Sequence, residues 1–333
     1  MIKDLSKNKW FMTGLIFIFL LFSVSFAYPI FIEPYLNQPP KMLYEDGKLV
    51  DVPPYSPSFS HFFGVDRFGD DVFWMVIDGA KYTILIAVGV GVLRIFFGMI
   101  GGIIYGLYYR WLAWVVEPLT RAFRFVPAVL IAILFLQPFL GETGPMALVK
   151  QCLILTFIAF LPITSVIGAE VNHYLKYEFI KASETLGGSK YWMLKKHILL
   201  YLRPRMYVLI IQQINQALLL LIHLGVLNFV IGGVKFIDLA QVGEQSREVA
   251  SSLSNEWTGM IGLSYRELQI DPWIVVGPCI GFVLTILSFN MIIYGLQKVF
   301  EERPVYEKKN NEATQNIIRN NEDFELIKDK RAR

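Results

Sequence analysis

A chain of 333 residues could hold two soluble domains on length alone. Its 54% apolar and 15% aromatic residues, with a mean hydropathy of +0.47, exclude that arrangement and indicate a membrane protein. The net charge of +3 is small, no nucleic-acid partner is expected, and the distribution of charge matters more than its sum.

A basic start (Lys3, Lys7, Lys9) leads into an apolar run from Trp10 to Ile32. A signal peptide cut near Ala27 would end too early for a run of this length, so residues 1–32 read as an uncleaved first helix with its N-terminus inside. Residues 33–80 carry Pro39, Pro40, Pro53, Pro54 and Pro57 and read as an external loop, because proline at that density prevents a helix. The end of that loop, from His61 to Lys81, reads as an amphipathic segment lying at the membrane interface.

Five more apolar segments follow, at Tyr82–Tyr109, Ala113–Leu140, Met146–Ala169, Met206–Ile231 and Trp273–Val299. The connection 170–205 carries seven Lys/Arg against three acids, whereas 232–272 carries three against six. Positive charge marks the cytoplasmic side, so the first loop is expected inside and the second outside. The expectation is an all-α membrane protein with six crossings, both termini cytoplasmic and a permease core at 81–300. The charged, Asn-rich tail 301–333 is expected to be disordered.

Catalytic signals are absent. Leu186–Lys190 (LGGSK) lacks the glycine spacing and the preceding strand of a phosphate loop. The four histidines are scattered, and Cys152 and Cys279 lie in apolar segments without partners at ligand spacing. Gly98, Gly102 and Gly106 recur every four residues, a pattern that lets helices approach closely. Polar groups inside apolar segments are the better clue, because each is costly there. Gln212, Gln216 and His223 fall near one helical face, with Asn215 adjacent, and Arg94 lies midway along the second segment. These residues either line a solute path or hydrogen-bond between helices.

The stretch from Tyr177 to Pro204 is polar and basic between two apolar segments. Helical periodicity runs to Leu186, Gly187 and Gly188 interrupt it, and Ser189 suits the N-cap of a second short helix. Lys181-Ala182-Ser183, then Gly187, then Lys196-His197-Ile198-Leu199 resembles the EAA loop of binding-protein-dependent ABC importer permeases, in the form found in the peptide and nickel family. His61, Gly64, Asp66, Gly69, Asp71, Gly79 and Ala80 are similar to the stretch before the second helix of its C-type subunit. Trp257-Thr258-Gly259-Met260, Pro272-Trp273, Pro278, Ser288-Phe289-Asn290 and Gly295-Leu296 resemble that subunit's ending. Asp70, Leu200 and Tyr294 depart from the pattern, as do Arg121 and Arg124 ahead of Pro127.

The resemblance spans Trp10 to Arg303 and implies a type I-like permease fold in a bacterial cell membrane. It implies a B-type permease partner, two cytoplasmic ATPase subunits that hold ATP and Mg, and an external solute-binding lipoprotein. Lys181, Ala182, Ser183, Gly187, His197 and Leu199 would couple the chain to the ATPases, and the chain itself would bind no cofactor. Its implied cargo is dipeptides or oligopeptides, with nickel or another small solute as the alternative. A secondary transporter would call for inverted repeats with broken helices, and the sequence shows none; a membrane scaffold is the other rival.

Overall fold

The computed structural model describes residues 2–36, 39, 43–45, 48–239 and 247–301, so the expected tail beyond 301 falls outside the described residues. Backbone groups in hydrocarbon must be satisfied within their own segment, and this chain meets that demand with helices. In chain order these are α1 (Ile2–Lys7), α2 (Lys9–Ala27), α3 (Val72–Leu107), α4 (Tyr109–Phe125), α5 (Ala128–Leu136), α6 (Pro145–Ile158) and α7 (Phe160–Tyr174). Then come α8 (Glu178–Thr185), α9 (Lys190–Met193), α10 (Leu199–Val226), α11 (Trp257–Leu263) and α12 (Trp273–Glu301). Two small antiparallel hairpins, β1–β2 (Leu43–Glu45, Lys48–Asp51) and β3–β4 (Val234–Leu239, Arg247–Ser252), qualify the expected all-α class. Four helical stretches are long and apolar enough to cross a membrane, or six if each of two bent helix pairs counts as one span.

The central element is α3, which packs against α2, α7 and α10. Its glycine stripe fits α7 directly: a Cβ at Gly98 would lie 2.3 Å from Ile163, and one at Gly102 2.6 Å from Ile167. The four-residue glycine spacing therefore serves packing within the chain.

The fifth crossing runs Leu199–Val226 rather than Met206–Ile231, and three further segments differ from the sequence reading. First, α3 begins at Val72 rather than Tyr82, so the expected interfacial segment contributes the first turns of a long helix. Asp71 is its N-cap, with Oδ1 accepting from the Phe73 and Trp74 N–H groups, and its Oδ2 lies 2.8 Å from His61 Nδ1. The His-Gly-Asp motif before the helix is thus a cap that fixes where it starts.

Second, the expected crossing Ala113–Leu140 is two helices bent by 92°. Val126, immediately before Pro127, is forced into extended backbone. Third, the expected crossing Met146–Ala169 bends by 46° between α6 and α7. There Pro162 has no N–H to give the Ile158 carbonyl, and the Ala159 N–H turns to Thr156 O at 3.3 Å. Two of the expected crossings are therefore broken helices.

The segment 232–272 is more than a surface loop, because α11 packs against α3, α10 and α12. Glu256 caps α11 and is fully buried: its carboxylate accepts from the Thr258 N–H (2.9 Å) and the Gly259 N–H. Asp66, also buried, accepts from the Phe68 and Asp70 N–H groups at 2.9 Å each. Burial pushes both carboxyls up to about 7, against the opposing pull of those backbone bonds.

A carboxyl whose value is raised on folding stabilises the fold fully below its ordinary value and loses that contribution as pH rises through the raised one. The unfolding midpoint of the detergent-purified chain should therefore fall as pH rises from 4.5 to about 7. Glu256→Gln, which cannot ionise, should flatten that decline. An unchanged slope in the variant would remove Glu256 from the account.

Candidate functional site

At the end of the bundle away from α11, the chain forms an elbow between α7 and α10. Helix α8 closes with two reciprocal bonds, Gly188 N–H to Ser183 O and Gly187 N–H to Glu184 O, both 2.9 Å. This is a Schellman closure, which needs left-handed backbone at the residue after the cap. Gly187 supplies it, with φ +90°. Ser189 then caps α9, its Oγ accepting from the Trp192 N–H at 3.2 Å. From α9 the chain passes through one wide turn, Leu194–Ile198, straight into α10. Leu200, unlike proline, can donate its N–H, so the exit is continuous; Pro204 lies inside α10 without ending it.

The elbow is fastened by apolar side chains. Ile180, Met193, Leu194 and Ile198 are buried in one cluster with Ile95, Ile163, Ile167, Val171 and Leu202. Lys181, Ala182 and Gly187 are exposed and Ser183 half-buried, so four of the six expected coupling residues share the free side of α8 and its turn. The other two serve the attachment. His197 is half-buried, its ring edge-on to Phe179 and Trp192, and Leu199 packs against the apolar cluster. Leu186, 89% exposed at the tip, and Tyr191 belong to the free surface and were not anticipated.

Within the bundle, a cavity of about 590 Å³ opens where the two broken helices face α10. Pro127 lies at one break and Pro162 at the other, and both line it. Arg94, Gln216 and His223 also line it, whereas Gln212 does not. Gln213 takes that place; its spacing with Gln216 and His223 (i, i+3, i+10) equally describes one helical face. Asn215 is instead bonded between helices, its Nδ2 donating to Asn290 Oδ1 at 2.7 Å.

Arg94 is only 3% exposed, and its Nε and Nη2 both donate to the Leu155 carbonyl, at 3.0 and 2.8 Å. That carbonyl is free because the helix break took away the Ala159 N–H that would ordinarily bond it. The guanidinium therefore stands at the C-terminal end of α6, where a helix dipole favours positive charge. Among the described residues, the cavity lining contains no Asp or Glu, and Arg94 is its one permanent charge.

The bundle matches a known pattern of chain. The family described as binding-protein-dependent transport system inner membrane component matches residues 98–305, well over half of the sequence. The chain belongs to that family. This permease is 27% identical over 304 residues to the dipeptide transport system permease protein DppC of Alkalihalophilus pseudofirmus, covering 90% of this chain and 88% of the relative. It is 24% identical over 298 residues to the oligopeptide transport system permease protein OppC of Bacillus subtilis, covering 89% and 87%. The peptide transport system permease protein SapC of Haemophilus influenzae is 26% identical over 249 residues, covering 72% and 74%. The likeness to C-type peptide permeases drawn from the three motifs is thereby shown, and this permease is a multi-pass membrane protein of a transporter family.

Proposed function

We propose that this permease forms one half of the path by which an ATP-driven importer carries dipeptides or oligopeptides across a bacterial cell membrane. Each bent helix pair counts as one span in this reading, giving six crossings with both termini and the elbow in the cytoplasm. A second, B-type permease subunit supplies the other wall of the cavity. Two ATPase subunits, which hold ATP and Mg, each take one permease elbow, and their closure drives a hinge-like alternation of access. A solute-binding lipoprotein delivers cargo to the outer loops, the stretch after α2 and the acidic segment 232–272.

The observation that carries the choice of cargo is the cavity lining. One fixed cation, no carboxylate and mostly apolar walls suit a peptide with apolar side chains and a terminal carboxylate. Nickel favours imidazole, thiolate or carboxylate ligands, and among the described residues His223 is the one such side chain on this wall, which favours the peptide reading.

Purification of the tagged chain from its native membranes provides the test. The expected outcome is co-purification of a second permease and an ATPase pair, with ATP-dependent uptake of radiolabelled dialanine and no uptake of nickel in proteoliposomes. A chain that purifies alone, or a complex that carries nickel and not peptide, overturns the proposal.

A further inference from the structure

We propose that Arg94 and Gln213 together form a station that reads the carboxylate end of a peptide in transit. The inference rests on the reading of this chain as a peptide permease and adds the feature of the cargo that the cavity recognises. A guanidinium has five N–H groups. Nε and Nη2 of Arg94 each give one to the Leu155 carbonyl, so three are left, both of those on Nη1 among them. No carboxylate among the described residues pairs with this cation, and none lines the cavity beside it. The Leu155 carbonyl holds the guanidinium in place but offers only the partial charge of a helix end. A buried cation in that position is costly until water or an anion meets it.

Gln213 has the complementary need. It is 6% exposed and lines the same cavity, and its Oε1, shut off from solvent where it now points, has no hydrogen-bond partner. An acceptor left unmade in a buried place is itself a cost, which a ligand donor can remove once the amide turns toward the cavity. A bare inorganic anion would satisfy the guanidinium and leave Gln213 as it is. The last residue of a peptide supplies both groups: a carboxylate for Arg94 and, one residue's length away, a backbone N–H for Gln213. Neither group asks anything of the side chain between them, so the station discriminates termini and tolerates sequence.

The complete transporter in proteoliposomes, with its binding protein and ATPases, tests this with radiolabelled trialanine and trialanine C-terminal amide. Each peptide is supplied at a concentration that saturates the binding protein, so that differences arise after delivery. The wild-type complex should take up the acid about tenfold faster than the amide, the worth of a hydrogen bond to a charged group. Arg94→Gln should lower acid uptake about tenfold more than amide uptake, because the charge-dependent contact is the one that tells the two peptides apart. Arg94→Lys keeps the charge and should keep most of the preference; it decides the matter if Arg94→Gln fails to assemble.

Equal losses for both peptides in Arg94→Gln would make Arg94 a structural cap alone and overturn the station. An acid preference unchanged in that variant would overturn it as well. A wild-type complex that carries both peptides without preference overturns the station and leaves the peptide reading standing. One that hydrolyses ATP and carries neither overturns both.

Discussion

On the proposed reading of the elbow as the ATPase contact, Gly187→Val should abolish ATP-dependent uptake while leaving the chain inserted and the proposed complex assembled. At φ +90° an L-residue is strained whatever the space around it, and a branched Cβ is the worst case. Nothing lies within 4 Å of where the Cβ would be, so the cost is entirely in the backbone, about 1–3 kcal/mol. That strain can be relieved locally by undoing the two closing bonds, Gly188 N–H to Ser183 O and Gly187 N–H to Glu184 O. Helix α8 has eight residues and one buried anchor, Ile180, so it would lose its fixed angle. The other members of the apolar cluster, Ile198 and Leu202 among them, would stay packed, and with them the attachment of α10. Gly187→Asn, which tolerates left-handed backbone, should keep most of the uptake. Normal uptake in Gly187→Val, with the complex intact, would show that the angle of α8 is not what transmits movement.

The elbow was legible because its signals are local: glycine where positive φ is needed, serine at a cap, and a periodicity that stops between them. The crossings were legible as apolar stretches, since hydropathy needs no knowledge of neighbours. Their ends and bends were harder. Phe73 and Trp74 beside Asp70, Asp71 and Asp78 read as an interfacial surface, yet Asp71 starts a helix there with His61 at its side. The breaks at Val126–Pro127 and ahead of Pro162 each follow from a proline that the sequence displays. What it did not display is that both breaks face α10 and open one cavity. Arg94 could be singled out as a costly residue, but its acceptor is a carbonyl freed 61 residues away by one of those breaks. Gln212 and Gln213 are neighbours on one helix, and only the packing of α10 tells which of them meets the cavity. Helix α11 was hidden in an acidic loop, where Glu256 looked like surface charge and is a buried cap.

Trp257→Ala should be the most destabilising single substitution in the region of α11, costing about 3–5 kcal/mol by loss of apolar contact and the cavity left behind. Trp257 is 0% exposed, and it joins three elements at once. Its Nε1 donates to the Val76 carbonyl of α3 at 2.8 Å, and its backbone N–H to Thr83 Oγ1 at 3.0 Å. Its ring meets Phe282 of α12 edge-on, with centroids 5.2 Å apart. The surrounding backbone is shaped for this side chain. A Cβ at Gly281 would sit 3.1 Å from the indole, and one at Gly79 would fall 1.8 Å from the Asn255 carbonyl, two residues before it. Such a tight fit leaves the neighbours little means of collapsing into the gap, which puts the cost at the upper end for a large-to-small change.

Trp257→Phe keeps much of the ring and gives up the indole N–H, so it should cost about 1–2 kcal/mol. The unfolding midpoint in detergent checks both, and Trp257→Ala within about 1 kcal/mol of wild type would mean that the site relaxes far more than its packing allows. The two variants also separate stability from transport. Trp257 lies at the end of the bundle opposite the elbow and away from the cavity lining, so uptake per folded complex should be unchanged in Trp257→Phe. In Trp257→Ala, uptake should fall only as far as the amount of folded protein does. A loss of uptake beyond that amount would mean that α11, by tying α3 to α12, also sets how far the two helices can move apart during the cycle.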